Sequence, residues 1–158
     1  MGQEIFITGD QSCPTDQANY KLIQGNCYFF EKAKQDFLTA QENCNTKFSP
    51  DAGKVFEPST LELYDEIFAA AKSTFGGSWL LTGFEKNDNN GDQVEYSSTG
   101  TESNIQPWSQ NDIKGNNKPY LTVNIGNSKW QSRPDNFKAY SVCEKISSSG
   151  IPSTSGSM

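Results

Sequence analysis

Four cysteines, Cys13, Cys27, Cys44 and Cys143, constrain this 158-residue chain more than any other feature. Their number is even, none belongs to a C-x-x-C pair, and the chain has no histidine, so a Cys/His zinc site is not supported. What remains is two disulfides made in an oxidising compartment, or four buried thiols kept in a reducing one. We adopt the first reading, with three connectivities open. Joining Cys13 to Cys27 closes a loop of roughly 15 residues, worth on the order of 3 kcal/mol, which makes that local pairing reasonable.

The length suits one domain with its own core. Hydrophobic residues make up only 34% of the chain, yet ten Phe, six Tyr and three Trp are among them, so the core has to be rich in aromatic rings. A net charge of −6 and the absence of a Lys/Arg run argue against nucleic acid as a partner. No stretch approaches 18 consecutive apolar residues, so no membrane span is expected. Met1 to Asp10 lacks the basic and apolar segments of a secretory leader, which leaves the cysteines to carry the expectation of a secreted, extracellular protein. Without histidine the Ser-His-Asp and Cys-His arrangements are excluded, and no glycine-rich phosphate loop is present. No carboxylate pair is marked by spacing as an acid/base couple. The chain reads as a non-enzyme.

Residues 20 to 30 form two β-prone runs about Gly25-Asn26, a hairpin signature. Asp36 precedes Phe37, Ala40 and Cys44, whose spacing predicts a capped helix that turns Cys44 inward. A second helix is predicted to start at Pro58-Ser59, with Ser59 and Glu62 as a capping box, a buried stripe of Leu61, Tyr64, Phe68 and Ala71, and a stop at Gly76-Gly77. Short strands follow at Trp79 to Leu81, Tyr120 to Ile125 and Tyr140 to Cys143, with the apolar-poor stretch 85 to 119 read as long loops that carry the binding site. The expected organisation is an N-terminal extension over 1–12, one domain over 13–146, and a flexible Ser/Gly-rich tail over 147–158.

Four segments then resemble the C-type lectin domain family: Cys13-Pro14 with Gly25-Asn26-Cys27-Tyr28-Phe29-Phe30, the helix ending at Cys44, Leu81-Thr82-Gly83-Phe84, and Trp130 leading to Val142-Cys143-Glu144. The resemblance implies an α+β, C-type-lectin-like fold of two helices flanking antiparallel sheets, with a long loop region. It also implies the pairings Cys13–Cys27 and Cys44–Cys143. A second bridge usual in the family is missing, because Tyr120 and about Asp135 stand at its positions.

Sugar-binding members of the family hold a calcium ion with an E-P-N or Q-P-D triplet, a downstream Glu, and Asn-Asp after the strand tryptophan. Calcium needs six to eight hard oxygen ligands, carboxylates foremost. On this chain the triplet position falls at Gln110-Asn111-Asp112, the Glu at Lys118, and the Asn-Asp pair at Gln131-Ser132, so one carboxylate of three remains. Asn111 replaces a proline whose peptide bond is normally cis in the family, and a cis bond before Asn costs about 2.5 to 4 kcal/mol, against about 0.5 to 1 before proline. The resemblance therefore implies a degenerate or rearranged calcium site through Gln110 and Asp112, with Asn111, Asn116, Asn117 and Trp108 as further ligand-binding candidates. The bland alternative is a polar loop without metal, with Trp108 packed beneath it. An EF-hand in 86–97 fails, since Lys86 and Ser97 would occupy the first and twelfth ligand places, although Asp88 or Asp92 could serve an auxiliary calcium. The expected partner is a carbohydrate or glycoprotein. The alternative is calcium-independent recognition of a protein, mineral or ice surface through the same loops.

Overall fold

The computed structural model describes residues 13–87, 93–108 and 119–146. The proposed extension 1–12 and tail 147–158, and the candidates Asp88, Asp92, Gln110, Asn111, Asp112, Asn116, Asn117 and Lys118, lie outside the described residues.

Strands β1 (Tyr20–Ile23) and β2 (Asn26–Gln35) form the hairpin, with Ile23 opposite Asn26. The turn is therefore Gln24-Gly25, one residue earlier than expected. Both φ angles are positive, 49° and 80°, as the twist of a two-residue hairpin loop requires. Asp36 caps helix α1 (Phe37–Thr46), its Oδ1 accepting the Thr39 N–H at 2.9 Å, and Phe37, Ala40 and Cys44 face the core. A short strand β3 (Gly53–Val55), which has no sequence periodicity to announce it, leads on towards α2 (Leu61–Phe75).

The cap of α2 is Thr60, not Ser59: the Thr60 hydroxyl accepts the Leu63 N–H at 3.1 Å. The buried stripe is Tyr64, Ile67 and Ala71, with Phe68 half-buried at its edge and Leu61 51% exposed. Side chains lean towards the helix N-terminus, so a residue in the first turn points past the end of the helix rather than onto the core. Gly76, at φ 86°, ends the helix and its N–H donates to the Lys72 carbonyl.

Strands β4 (Trp79–Asn87), β5 (Gln93–Tyr96), β6 (Tyr120–Asn124), β7 (Trp130–Arg133) and β8 (Ala139–Lys145) complete the fold. The expected loop stretch thus begins with the last three residues of β4 and includes β5 paired to that strand, from Phe84 opposite Tyr96 to Asn87 opposite Gln93. The sheet order is β1-β2-β8-β4-β6-β7, with β3 on β8 and β5 on β4. Pairing is antiparallel except where β4 meets β8, a parallel contact at Leu80 and Tyr140, so the sheet is mixed rather than purely antiparallel. Beyond it the two strands part, and Phe56 fills the gap: its N–H donates to Val142 and its carbonyl accepts from Gly83, both at 2.9 Å.

The Cys13–Cys27 and Cys44–Cys143 disulfides are both formed, the second across 99 positions, from α1 to β8. Leu80 to Phe84 in β4 and Ser141 to Cys143 in β8 are buried without alternation, as strands covered on both faces must be. Rings fill much of the space, including Phe75 stacked on Tyr140 at 4.5 Å and Phe30 against Phe75 at 6.1 Å. Gly83 sits where the β4–β6 register shifts, and a Cβ there would lie 2.7 Å from the Phe56 carbonyl and 2.9 Å from that of Val55, as well as against Glu57 Cγ. Backbone cannot retreat from such contacts cheaply. Gly83→Ala is expected to destabilise the fold by about 1 to 3 kcal/mol in denaturant unfolding, and an unchanged midpoint would disprove the tight approach.

Candidate functional site

The long-loop end of the fold is held by rings on either side of residues 109–118. On the entering side, Trp108 meets Phe84 edge-on at 5.1 Å and Trp130 at 5.5 Å, while Trp130 also touches Tyr64 at 5.6 Å. Phe84 and Trp130 are fully buried and Trp108 is half-buried. On the returning side, Pro119 accepts the Lys86 N–H at 2.6 Å, and Tyr120 stacks on Phe37 at 4.4 Å with the ring planes 14° apart. Burial raises the Tyr120 pKa, with Glu85, Asp135 and Asp36 pushing in the same direction, so the ring is a neutral phenol at physiological pH. Where the resemblance places a half-cystine, the chain thus uses an aromatic stack between α1 and β6.

At β7 the two positions expected for calcium-binding Asn-Asp do not act together. Gln131 is exposed opposite Thr122, whereas Ser132 is buried opposite Leu121, because successive strand residues face opposite sides of the sheet. Neither carries a charge. Among the described residues no group of three or more Asp, Glu or Cys side chains could hold a metal ion. The described positions do not fit a calcium site of the family's type, and any such ion would depend on Gln110 and Asp112.

Two further constellations were not singled out from the sequence. Glu57, between β3 and α2, accepts from the Ser98 N–H and hydroxyl, both at 2.8 Å, and so tethers the turn after β5. Its carboxylate lies 3.0 Å from Lys54 Nζ, which is 3.9 Å from Glu144, while Glu144 accepts the Glu57 N–H at 2.8 Å. Arg133 lies between Trp79 and Phe137, with its guanidinium carbon 4.3 and 4.1 Å from the ring centroids. The one available signal was compositional: Arg133 is the only arginine among 13 basic residues. The partners of Glu57 and Glu144 are up to 87 positions away and carry no local signal.

No family model matches the chain, nor does any curated protein. Solved structures do. Human lithostathine superposes with a TM-score of 0.70 at 16% identity, covering 90% of this chain and 96% of its own. The C-type lectin CEL-I from Cucumaria echinata gives 0.68 at 14%, covering 82% and 96%. The chain has the C-type-lectin-like fold. A calcium-independent type II antifreeze protein shares this fold as well, at a TM-score of 0.61 and 18% identity over 82% of this chain and 95% of its own. Within the C-type-lectin-like fold, Trp108 and Tyr120 stand on either side of residues 109–118 in the chain and Glu144 follows the cysteine of the last strand.

Burial pushes the Glu144 carboxyl up to about 7, Glu57 adding to the rise while the Glu57 N–H and Lys54 oppose it. A carboxyl raised above its ordinary 4.5 binds its proton more tightly in the folded chain. Its stabilising contribution is complete below that ordinary value and is lost as pH rises through about 7. Glu144→Gln keeps an acceptor for the Glu57 N–H but cannot ionise. The melting temperature of this variant should therefore fall less than that of the wild type between pH 5 and 8, and parallel curves would count against the assignment.

Proposed function

We propose that the chain is an extracellular, non-catalytic recognition domain that binds carbohydrate through residues 109–118 and the half-buried Trp108 beside them. The observation that carries this reading is the placement of Trp108, a half-buried ring packed on Phe84 and Trp130 immediately before residue 109 in the chain. Gln110, Asn111, Asp112, Asn116 and Asn117 offer amide and carboxylate groups suited to the paired hydroxyls of a sugar ring. The sharing of this fold with a C-type lectin supports the same ligand class. Calcium, where it takes part, relies on Gln110 and Asp112. Disulfide formation at both cysteine pairs supports the extracellular setting.

A second reading is calcium-independent binding of a protein, mineral or ice surface by the same loops. The uncharged Gln131 and Ser132, facing opposite sides of β7, favour it, and so does the calcium-independent antifreeze protein of the same fold.

A glycan array separates the two. Specific glycan binding is expected, with Asp112→Ala weakening it at least tenfold. Chelator removes the binding where Asp112 acts through calcium and leaves it where Asp112 meets the sugar directly. Absence of binding to every glycan, with and without calcium, would overturn the first reading. Under the second, millimolar calcium leaves the melting temperature unchanged, because only an ion bound to the native state raises it.

A further inference from the structure

Arg133 ends β7 directly opposite Tyr120, the second residue after the 109–118 segment. Its guanidinium carbon lies over the Trp79 ring at 4.3 Å and over the Phe137 ring at 4.1 Å, and its Nε donates to the Thr122 hydroxyl at 3.4 Å. That leaves the two Nη nitrogens. Among the described residues these have no hydrogen-bond acceptor, and no carboxylate stands within ion-pair distance. Asp135, two residues on, is exposed and makes no ion pair with it. Burial alone lowers the Arg133 pKa, as for a cation that has lost water without gaining an anion.

A guanidinium fixed flat with a free edge offers parallel N–H donors in the geometry of a planar carboxylate. Twelve of the 13 basic residues are lysines, which lack that fork, and the one arginine stands with its guanidinium carbon over two rings. The net charge of −6 disfavours a polyanion. A single carboxylate on an otherwise neutral sugar meets both conditions. Exposed Gln131, on the same face of β7, adds an amide beside it for ring hydroxyls.

We propose that Arg133, clamped between Trp79 and Phe137, binds the carboxylate of an acidic sugar by a bidentate pair of hydrogen bonds. The proposal rests on the carbohydrate reading above and narrows it to glycans carrying a uronic- or sialic-type acid. Trp79 and Phe137 are positioning residues, holding the fork in plane.

The test is calorimetric titration of the whole chain with methyl glucuronide, methyl glucoside and acetate. The side-chain Nε–H signal, unique because the chain has one arginine, is followed by NMR. The glucuronide is expected to bind at least tenfold more tightly than the glucoside and to shift the Arg133 signal. Arg133→Lys, which keeps the charge but loses the fork, is expected to abolish that difference. Should this variant fold poorly, the Nε–H shift in the wild-type protein decides. Equal binding of glucuronide and glucoside, with an unmoved Arg133 signal, overturns the acidic-sugar site and leaves the carbohydrate reading standing. Acetate binding as tightly as glucuronide overturns the sugar component, leaving a bare anion site. Failure of both sugars overturns the carbohydrate reading and this proposal with it.

Discussion

The Cys44–Cys143 bridge is the constraint on which the rest of the molecule depends. It ties α1 to the strand that pairs with β2 and β3 and touches β4, so both halves of the sheet are referred to one covalent point. Closing a loop of 99 positions is worth about 4.7 kcal/mol in the chain-entropy picture. That is a large share of the 5 to 15 kcal/mol that stabilises an ordinary domain. The bridge also accounts for what surrounds it. β8 can be buried on both faces because helix and strands are held against it, and Glu144, the next residue, is thereby drawn into a site where its charge is costly.

Away from that bridge, rings take over the role of covalent links. Tyr120 on Phe37 joins β6 to α1, and Trp108 on Phe84 and Trp130 joins the start of the loop region to β4 and β7. Stacked and edge-on rings are each worth about 0.5 to 1.5 kcal/mol beyond the area they bury, weaker than a disulfide but cumulative. They hold Trp108 and Tyr120, on either side of residues 109–118 in the chain, independently.

Charge is handled differently in two side-chain clusters. In the first, Lys54 compensates Glu57 and Glu144, and Glu57 uses its remaining acceptor capacity to hold Ser98, so the carboxylates serve the fold. In the second, Arg133 has two rings and a hydroxyl but no anion among the described residues. Aromatic faces stabilise a guanidinium without neutralising it, leaving its in-plane donors for a ligand. The difference leaves the carboxylates of the first cluster engaged within the fold and Arg133 without an anion among the described residues.

Local signals carried a large part of the fold. The Asp36 cap, the inward spacing of Phe37, Ala40 and Cys44, the hairpin before β2 and the glycine stop at Gly76 all depend on neighbours within a few residues. Errors of one position, at Gln24-Gly25 and at Thr60, arose where adjacent residues have nearly equal propensity and only tertiary packing chooses. Strand β3, the mixed pairing of β4 with β8, the exposure of Leu61 and the pairing of β5 with β4 were not legible, because each is set by partners distant in sequence or by the end of the core. The same division applies to the site. The sequence by itself determined which polar and aromatic side chains are on offer, and that few acids stand where the resemblance puts calcium ligands, since those are facts of residue identity. Only the tertiary structure decided that Gln131 and Ser132 face apart, that Tyr120 stands on Phe37 and that Arg133 lies between Trp79 and Phe137, because side-chain direction and long-range contact follow from sheet register, which no single stretch of chain encodes.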